Sequence, residues 1–160
     1  MSVSDDDFLR FYQKFLESIV IDGDGDIFFT NYYSYDMDED ELYEKAIAAL
    51  TRFGASGLIY RRILGRKIEC NIDYDIMNFL KYMFLNKDEK IWMDCFFVPT
   101  ESAVNMVEKF LISFDEENRL KVVADVCEEF RKELGRIFDE HGVGFDGDLP
   151  YDKLLSLDSK

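Results

Sequence analysis

Two hydrophobic periods run through this chain, and together they restrict its fold more than any short motif does. Leu120, Val123, Cys127, Phe130, Leu134 and Ile137 recur by threes and fours, as do Phe8, Phe11, Phe15 and Ile19. Ile68, Cys70 and Ile72 instead alternate with Lys67, Glu69 and Asn71. The first spacing lines one side of a helix and the second lines one face of a strand. A chain carrying both builds helices and a sheet, and the expected class is α+β. At 160 residues it is one ordinary domain. The expectation is a small sheet of about three strands packed by five to six helices over residues 1–142, with a polar tail or short helix at 143–160. The alternative is an all-helical domain in which the apparent strands are loops.

Local signals sharpen this outline. Ser4 and Asp7 stand at N-cap and N3 spacing before the first helical stripe. The Asp22–Gly23–Asp24–Gly25 repeat ends that helix, and "IFFTNYYSY" follows with strand-like composition. Asp38 to Glu41 open a second helix with Leu42, Ala46, Leu50 and Phe53 on one side, interrupted by Gly54 and Gly57. "LIYRRIL" reads as a short third helix, "RKIECNID" as a strand and "DYDIMNFLKYMFLN" as another helix. "IWMDCFFVP" is a strand stopped by Pro99, and Thr100 caps a helix carrying Ala103, Val107, Phe110 and Leu111. The Leu120–Ile137 stripe reads as a long helix ending at His141 and Gly142.

Chemistry-bearing motifs are tested in turn. Asp22, Asp24 and Asp26 occupy the first three ligand positions of a calcium loop, but Ile27 and Tyr33 stand where that loop needs Gly and a bidentate Glu. No metal and no cofactor is expected. Cys70, Cys95 and Cys127 form no C-x-x-C pair, and an odd, widely spaced set fits a reducing compartment. The single histidine, His141, lies fourteen residues from Cys127, about 21 Å along a helix, so the two cannot form a nucleophilic pair. Phosphate loops and a hydrolase elbow are missing. The expectation is a protein without a catalytic residue, although a carboxylate pair in a cleft stays open as an enzyme alternative. Residues 1–8 carry no signal-peptide pattern, and no apolar run approaches the roughly 20 residues of a membrane span. A cytoplasmic location with no membrane contact is the corresponding expectation.

Charge separates along the chain. The formal net charge is -15, and residues 15–44 contain ten acids and no base. Threaded among those acids are Phe28, Phe29, Tyr32, Tyr33 and Tyr35. A strand cannot bury five such neighbours on one face, so either both faces are covered or some aromatic rings meet solvent. Tyrosines beside carboxylates make a plausible surface for a basic protein, with rings as anchors and charge as steering. The expected partner-binding residues are Tyr32, Tyr33, Tyr35, Asp36, Asp38, Glu39, Asp40 and Glu41.

Residues 45–68 reverse the sign, with six bases and no acid. "ALTRFGASGLIYRRILGRK" resembles a helix-turn-helix, with Gly54 at the turn and Phe53, Ala55, Tyr60 and Ile63 at its apolar positions. Leu50 stands where that motif wants a small residue, and Gly57, Leu58 and Ile59 stand where a recognition helix presents polar groups. "GASG" is similar to the G-x-x-G loop of a KH domain, about three residues short in spacing. Neither family is carried over. A basic patch of Arg52, Arg61, Arg62, Arg66 and Lys67 is the alternative site, with nucleic acid as its ligand. The favoured expectation is a non-catalytic acidic binding protein with a basic protein partner, comparable in surface character to immunity proteins, nuclease inhibitors and phage antagonists. Its oligomeric state does not follow from the sequence.

Overall fold

A computed structural model describes residues 3–23, 37–63, 80–81 and 95–147. Helix α1 is one continuous rod made of a first turn at Asp5–Asp7, a π-helical stretch at Phe8–Gln13 and an α-helical segment at Lys14–Ile21. It begins as its sequence dictates. The Ser4 hydroxyl accepts from the Asp7 amide, and three aspartates fill the first turn, where the helix dipole favours them. Within the π stretch the Lys14 amide reaches back five residues to the Leu9 carbonyl. The rod stops at Asp22, and Gly23 takes the left-handed conformation.

Helix α2 spans Glu39–Ala55 with Asp38 as its cap, the Asp38 carboxylate accepting from the Glu41 amide at 2.9 Å. Strands β1 (Ile59–Ile63) and β2 (Cys95–Pro99) pair antiparallel, Ile59 opposite Pro99 and Ile63 opposite Cys95. Helix α3 (Glu101–Phe110) starts from Thr100, whose hydroxyl accepts from Ala103. Strands β3 (Ile112–Phe114) and β4 (Leu120–Val122) form a second antiparallel pair. Helix α4 covers Glu128–Glu140. The class is α+β, with four helices and two two-stranded sheets among the described residues.

Three expectations change here. "LIYRRIL" is not a helix, because α2 ends in a glycine motif that turns the chain out. Gly57 has φ +72°, its amide bonds the Gly54 carbonyl, and the Leu58 amide bonds the Phe53 carbonyl. That is a Schellman ending, and Leu58 and Phe53 both lie buried in the core, in keeping with the apolar pair that often accompanies such endings. Gly54 sits inside α2 and interrupts nothing. Instead of one three-stranded sheet, the described residues form two separate pairs, and the expected strands at "IFFTNYYSY" and "RKIECNID" lie outside them. The long helix from Leu120 is also divided. Leu120 to Val122 form a strand, Cys127 is the N-cap, and only Glu128 onward is helical.

Helix α4 ends as α2 does. Gly142 has φ +70°, and its amide bonds Asp139 while the Val143 amide bonds Phe138. Phe53-x-x-x-Gly57-Leu58 and Phe138-x-x-x-Gly142-Val143 are thus one device used twice. The second exit leads inward: Val143 is buried, and Phe145 stacks edge-on against Tyr12 and Phe138, although composition alone placed both with the polar tail. The core is aromatic. Phe8, Phe11 and Phe15 of α1 meet Phe53 of α2, Phe97 of β2, and Phe130 and Phe138 of α4. Helix α1 touches each of the other helices and β2, so it is the axis of the molecule. Leu80 and Lys81 are helical and buried, and Leu80 joins this core.

Candidate functional site

The expected partner surface divides at the boundary of the described residues. Tyr32, Tyr33, Tyr35 and Asp36 lie outside them, as do Arg66 and Lys67 of the basic alternative and the second and third aspartates of the calcium loop. Asp38, Asp40 and Glu41 stand exposed at the start of α2, and Glu39 is its first residue. Lys45 spans from this turn to α1. Its ammonium lies 2.8 Å from Asp7 and 2.9 Å from Glu41, and brings the acidic starts of two helices together. Desolvation pulls the Lys45 pKa down, but the hydrogen bonds and the charge attraction of Asp7 and Glu41 together outweigh it and raise the value. On the other side of the α1 start, Arg131 pairs with Asp5 and also donates to the Val3 carbonyl. Two cations therefore join the N-terminal turns into one acidic ridge.

The basic alternative loses one member to the interior. Arg52 is 4% exposed. Its guanidinium donates through Nη1 to the Tyr12 hydroxyl at 2.6 Å, through Nε to the Val143 carbonyl at 2.9 Å, and through Nη2 to the Gly144 carbonyl at 3.3 Å. Tyr12 and Phe145 lie near its planar group as well. Arg52 thus ties the end of α2 to α1 and to the inward exit from α4. It is a structural cation. Arg61 and Arg62 are on strand β1, where a recognition helix would have been needed.

Among the described residues no group of three or more His, Cys, Asp or Glu side chains could hold a metal ion. Cys127 is a free thiol at the N-cap of α4, and His141 stands at the other end with Nδ1 2.8 Å from the Ile137 carbonyl. The helix keeps them about 20 Å apart. Burial pushes the Glu17 carboxyl above the ordinary range, while the Lys14 ammonium 3.5 Å away pulls it back. No described helix is long and apolar enough to cross a membrane.

Two features escaped the sequence reading. Gln13, fully buried in the π stretch, donates through Nε2 to the Asp125 carbonyl and accepts at Oε1 from the Cys127 amide. It clasps the segment that launches α4, joined by Lys14, which donates to the Val123 carbonyl. The second is the β3–β4 hairpin. Phe114 is 64% exposed and Leu120 46%, and they face each other across the ladder. Alternation in Ile112-x-Phe114 and Leu120-x-Val122 around "DEENR" was the available signal.

The hairpin turn is firmly built. One Asp115 carboxylate oxygen accepts from the Glu117 and Arg119 amides, the other from Arg119 Nε, and Asn118 supplies the left-handed residue with φ 61°. The Arg119 amide, helped by its guanidinium and the Glu117 amide, holds the Asp115 carboxyl below the ordinary carboxylate range against a smaller desolvation effect. A depressed folded value means the contribution is present above the unfolded value and is lost as pH falls through the folded one. Acidification below the usual carboxylate range should therefore loosen this turn. Side-chain carboxyl shifts measured by NMR should show Asp115 titrating below the ordinary carboxylate range. In Asp115→Asn, amide exchange at Glu117 and Arg119 should be faster.

Comparison with protein-family models, with curated proteins and with solved structures finds no match for this chain.

Proposed function

We propose that this chain is a non-catalytic acidic binding protein that engages a basic protein partner, in the manner of immunity proteins, nuclease inhibitors or phage antagonists. The observation that carries the reading is a net charge of -15 combined with an arginine withdrawn from the surface. Burying Arg52 makes the exterior more negative than composition alone implies. Such a field repels nucleic acid and raises the encounter rate with cationic proteins. The nucleic-acid alternative is weakened by the same burial and by the strand at Ile59–Ile63. On this reading the partner meets the ridge at Asp38, Glu39, Asp40 and Glu41, and Tyr32, Tyr33, Tyr35 and Asp36, which lie outside the described residues, belong to the same proposed surface.

The test must respect the structural duties of two of these acids. Asp38 caps α2, and its loss would cost about 1 kcal/mol, so Asp38→Asn keeps the cap while removing the charge. Glu41 is engaged by Lys45 and is left in place. The triple variant Asp38→Asn, Glu39→Lys, Asp40→Lys is expected to slow association with a basic partner captured at low salt and to flatten its salt dependence. Dissociation should change little, since steering acts on encounter. An unchanged association rate in a variant with intact helix content would reduce this ridge to a solvated surface.

A further inference from the structure

We infer that the β3–β4 hairpin is the apolar anchor of the partner interface, and that it seats a cationic protein segment bearing an aromatic or aliphatic side chain between basic residues. This rests on the acidic-binding reading above and adds the surface that would hold the partner once charge has brought it near. Ile112 opposes Val122 and Phe114 opposes Leu120, so the four share one face of the ribbon, with Ser113 and Lys121 on the other. The inner end of that face rests on the core through Ile112. The outer end runs past the edge of the core into solvent, carrying Phe114 and Leu120. Single exposed apolar residues are ordinary, but Phe114 and Leu120 oppose each other directly across the ladder and make one apolar surface.

Its rigidity matters as much as its exposure. The Asp115 turn fixes the ribbon at its tip, and the Val123 amide bonds the Leu111 carbonyl at its base. Lys14 holds the Val123 carbonyl from α1. A pre-ordered aromatic group forfeits little entropy on binding, which is what makes such residues anchors.

Charge decides the occupant. Residues 112–129 contain six acids and two bases, and one of those bases, Arg119, is held by Asp115 and Glu117. The segment that carries the apolar pair is thus acidic, on a molecule of net charge -15. A second copy would bring the same acidic segment and the same net charge against it. A basic segment with an apolar side chain satisfies both the apolar pair and the charge.

The test uses the full chain and three synthetic peptides of equal length: one alternating Lys with Trp and Leu, one of the same charge without apolar residues, and one neutral and apolar. Affinity is read by calorimetry and location by amide shift changes. The expected result is that the first peptide binds most tightly and shifts residues 112–123. Phe114→Ser and Leu120→Thr, each checked for native circular dichroism, should weaken it at least tenfold while leaving the purely cationic peptide unaffected. If the first peptide binds equally to wild type and both variants, or shifts only residues near Asp38–Glu41, the anchor assignment is overturned while the acidic-binding reading survives. If no cationic peptide binds at low salt, both fall. A concentration-dependent dimer in sedimentation that disappears in Phe114→Ser would make a second copy the occupant and likewise overturn the proposal.

Discussion

Replacing Phe53 with alanine is expected to lower the unfolding free energy by about 4 kcal/mol. Its ring is fully buried, and its centroid lies 5.6 Å from Tyr12, 5.7 Å from Phe15 and 5.6 Å from Phe138. Truncation loses the transfer energy of the ring and leaves a cavity among side chains held by two other helices, which cannot both collapse inward. Phe53→Leu keeps most of the volume and should cost less than half as much, chiefly the aromatic pairing. Urea unfolding followed by far-ultraviolet dichroism gives both numbers, and equal losses for the two variants would refute the cavity argument.

The second large effect belongs to its neighbour. Arg52→Met should cost about 3 kcal/mol, for a different reason. Methionine fills the space but leaves the Val143 and Gly144 carbonyls and the Tyr12 hydroxyl without this donor, and each orphaned group carries its own desolvation cost. Relief from burying a charge offsets part of the loss. Arg52→Lys should not rescue it, because one ammonium cannot reproduce a planar fork that serves three separate acceptors. A lysine variant as stable as wild type would show that charge, rather than the fork, is what the site requires. Tyr12→Phe combined with Arg52→Met should be less damaging than the sum of the two, since they share one bond.

The same network makes stability fall in alkali. Burial raises the Tyr12 phenol above its ordinary value of 10.0, with Arg52 pulling it back. The unfolded chain then releases this proton first, so the full contribution holds below the ordinary phenol value and declines as pH rises toward the folded one. Without Arg52 the phenol should titrate higher still and the decline extend further into alkali.

What the sequence made readable follows from how local each cause is. Ser4, Asp38 and Thr100 act on amides three residues away, and all three caps stand where their spacing predicts. The stripes Phe8-Phe11-Phe15 and Ala46-Leu50-Phe53 are buried for the same reason. Failures came where a distant partner decided the outcome. Ile59 to Ile63 carry a helix-compatible pattern, but pairing with Cys95–Pro99 fixes them as a strand. Leu120 and Val123 fall in helical step with Cys127, yet Phe114 on the other arm of a hairpin claims Leu120. Arg52 looked like surface charge because nothing nearby reveals that carbonyls some ninety residues later will surround it. The exposed acids at the start of α2 follow from charge order alone, whereas the exposed Phe114–Leu120 pair is hidden by the helical step of Leu120 with Cys127.

The π-helical stretch at Phe8–Gln13 carries a consequence for insertion and deletion. A chain that reaches back five residues instead of four holds one residue more than an α-helix would over the same length. Rewinding the same residues as a regular α-helix would add a turn of about 100° and rotate everything before the stretch relative to Lys14–Ile21. Phe8 would then swing away from Phe130, Asp7 from Lys45, and Asp5 from Arg131. Removing one residue while the stretch rewinds would return both flanks to nearly their present alignment. A single deletion inside this stretch should therefore be tolerated better than one in the regular turns at Lys14–Ile21, where it would rotate the two ends of the rod against the partners each already meets.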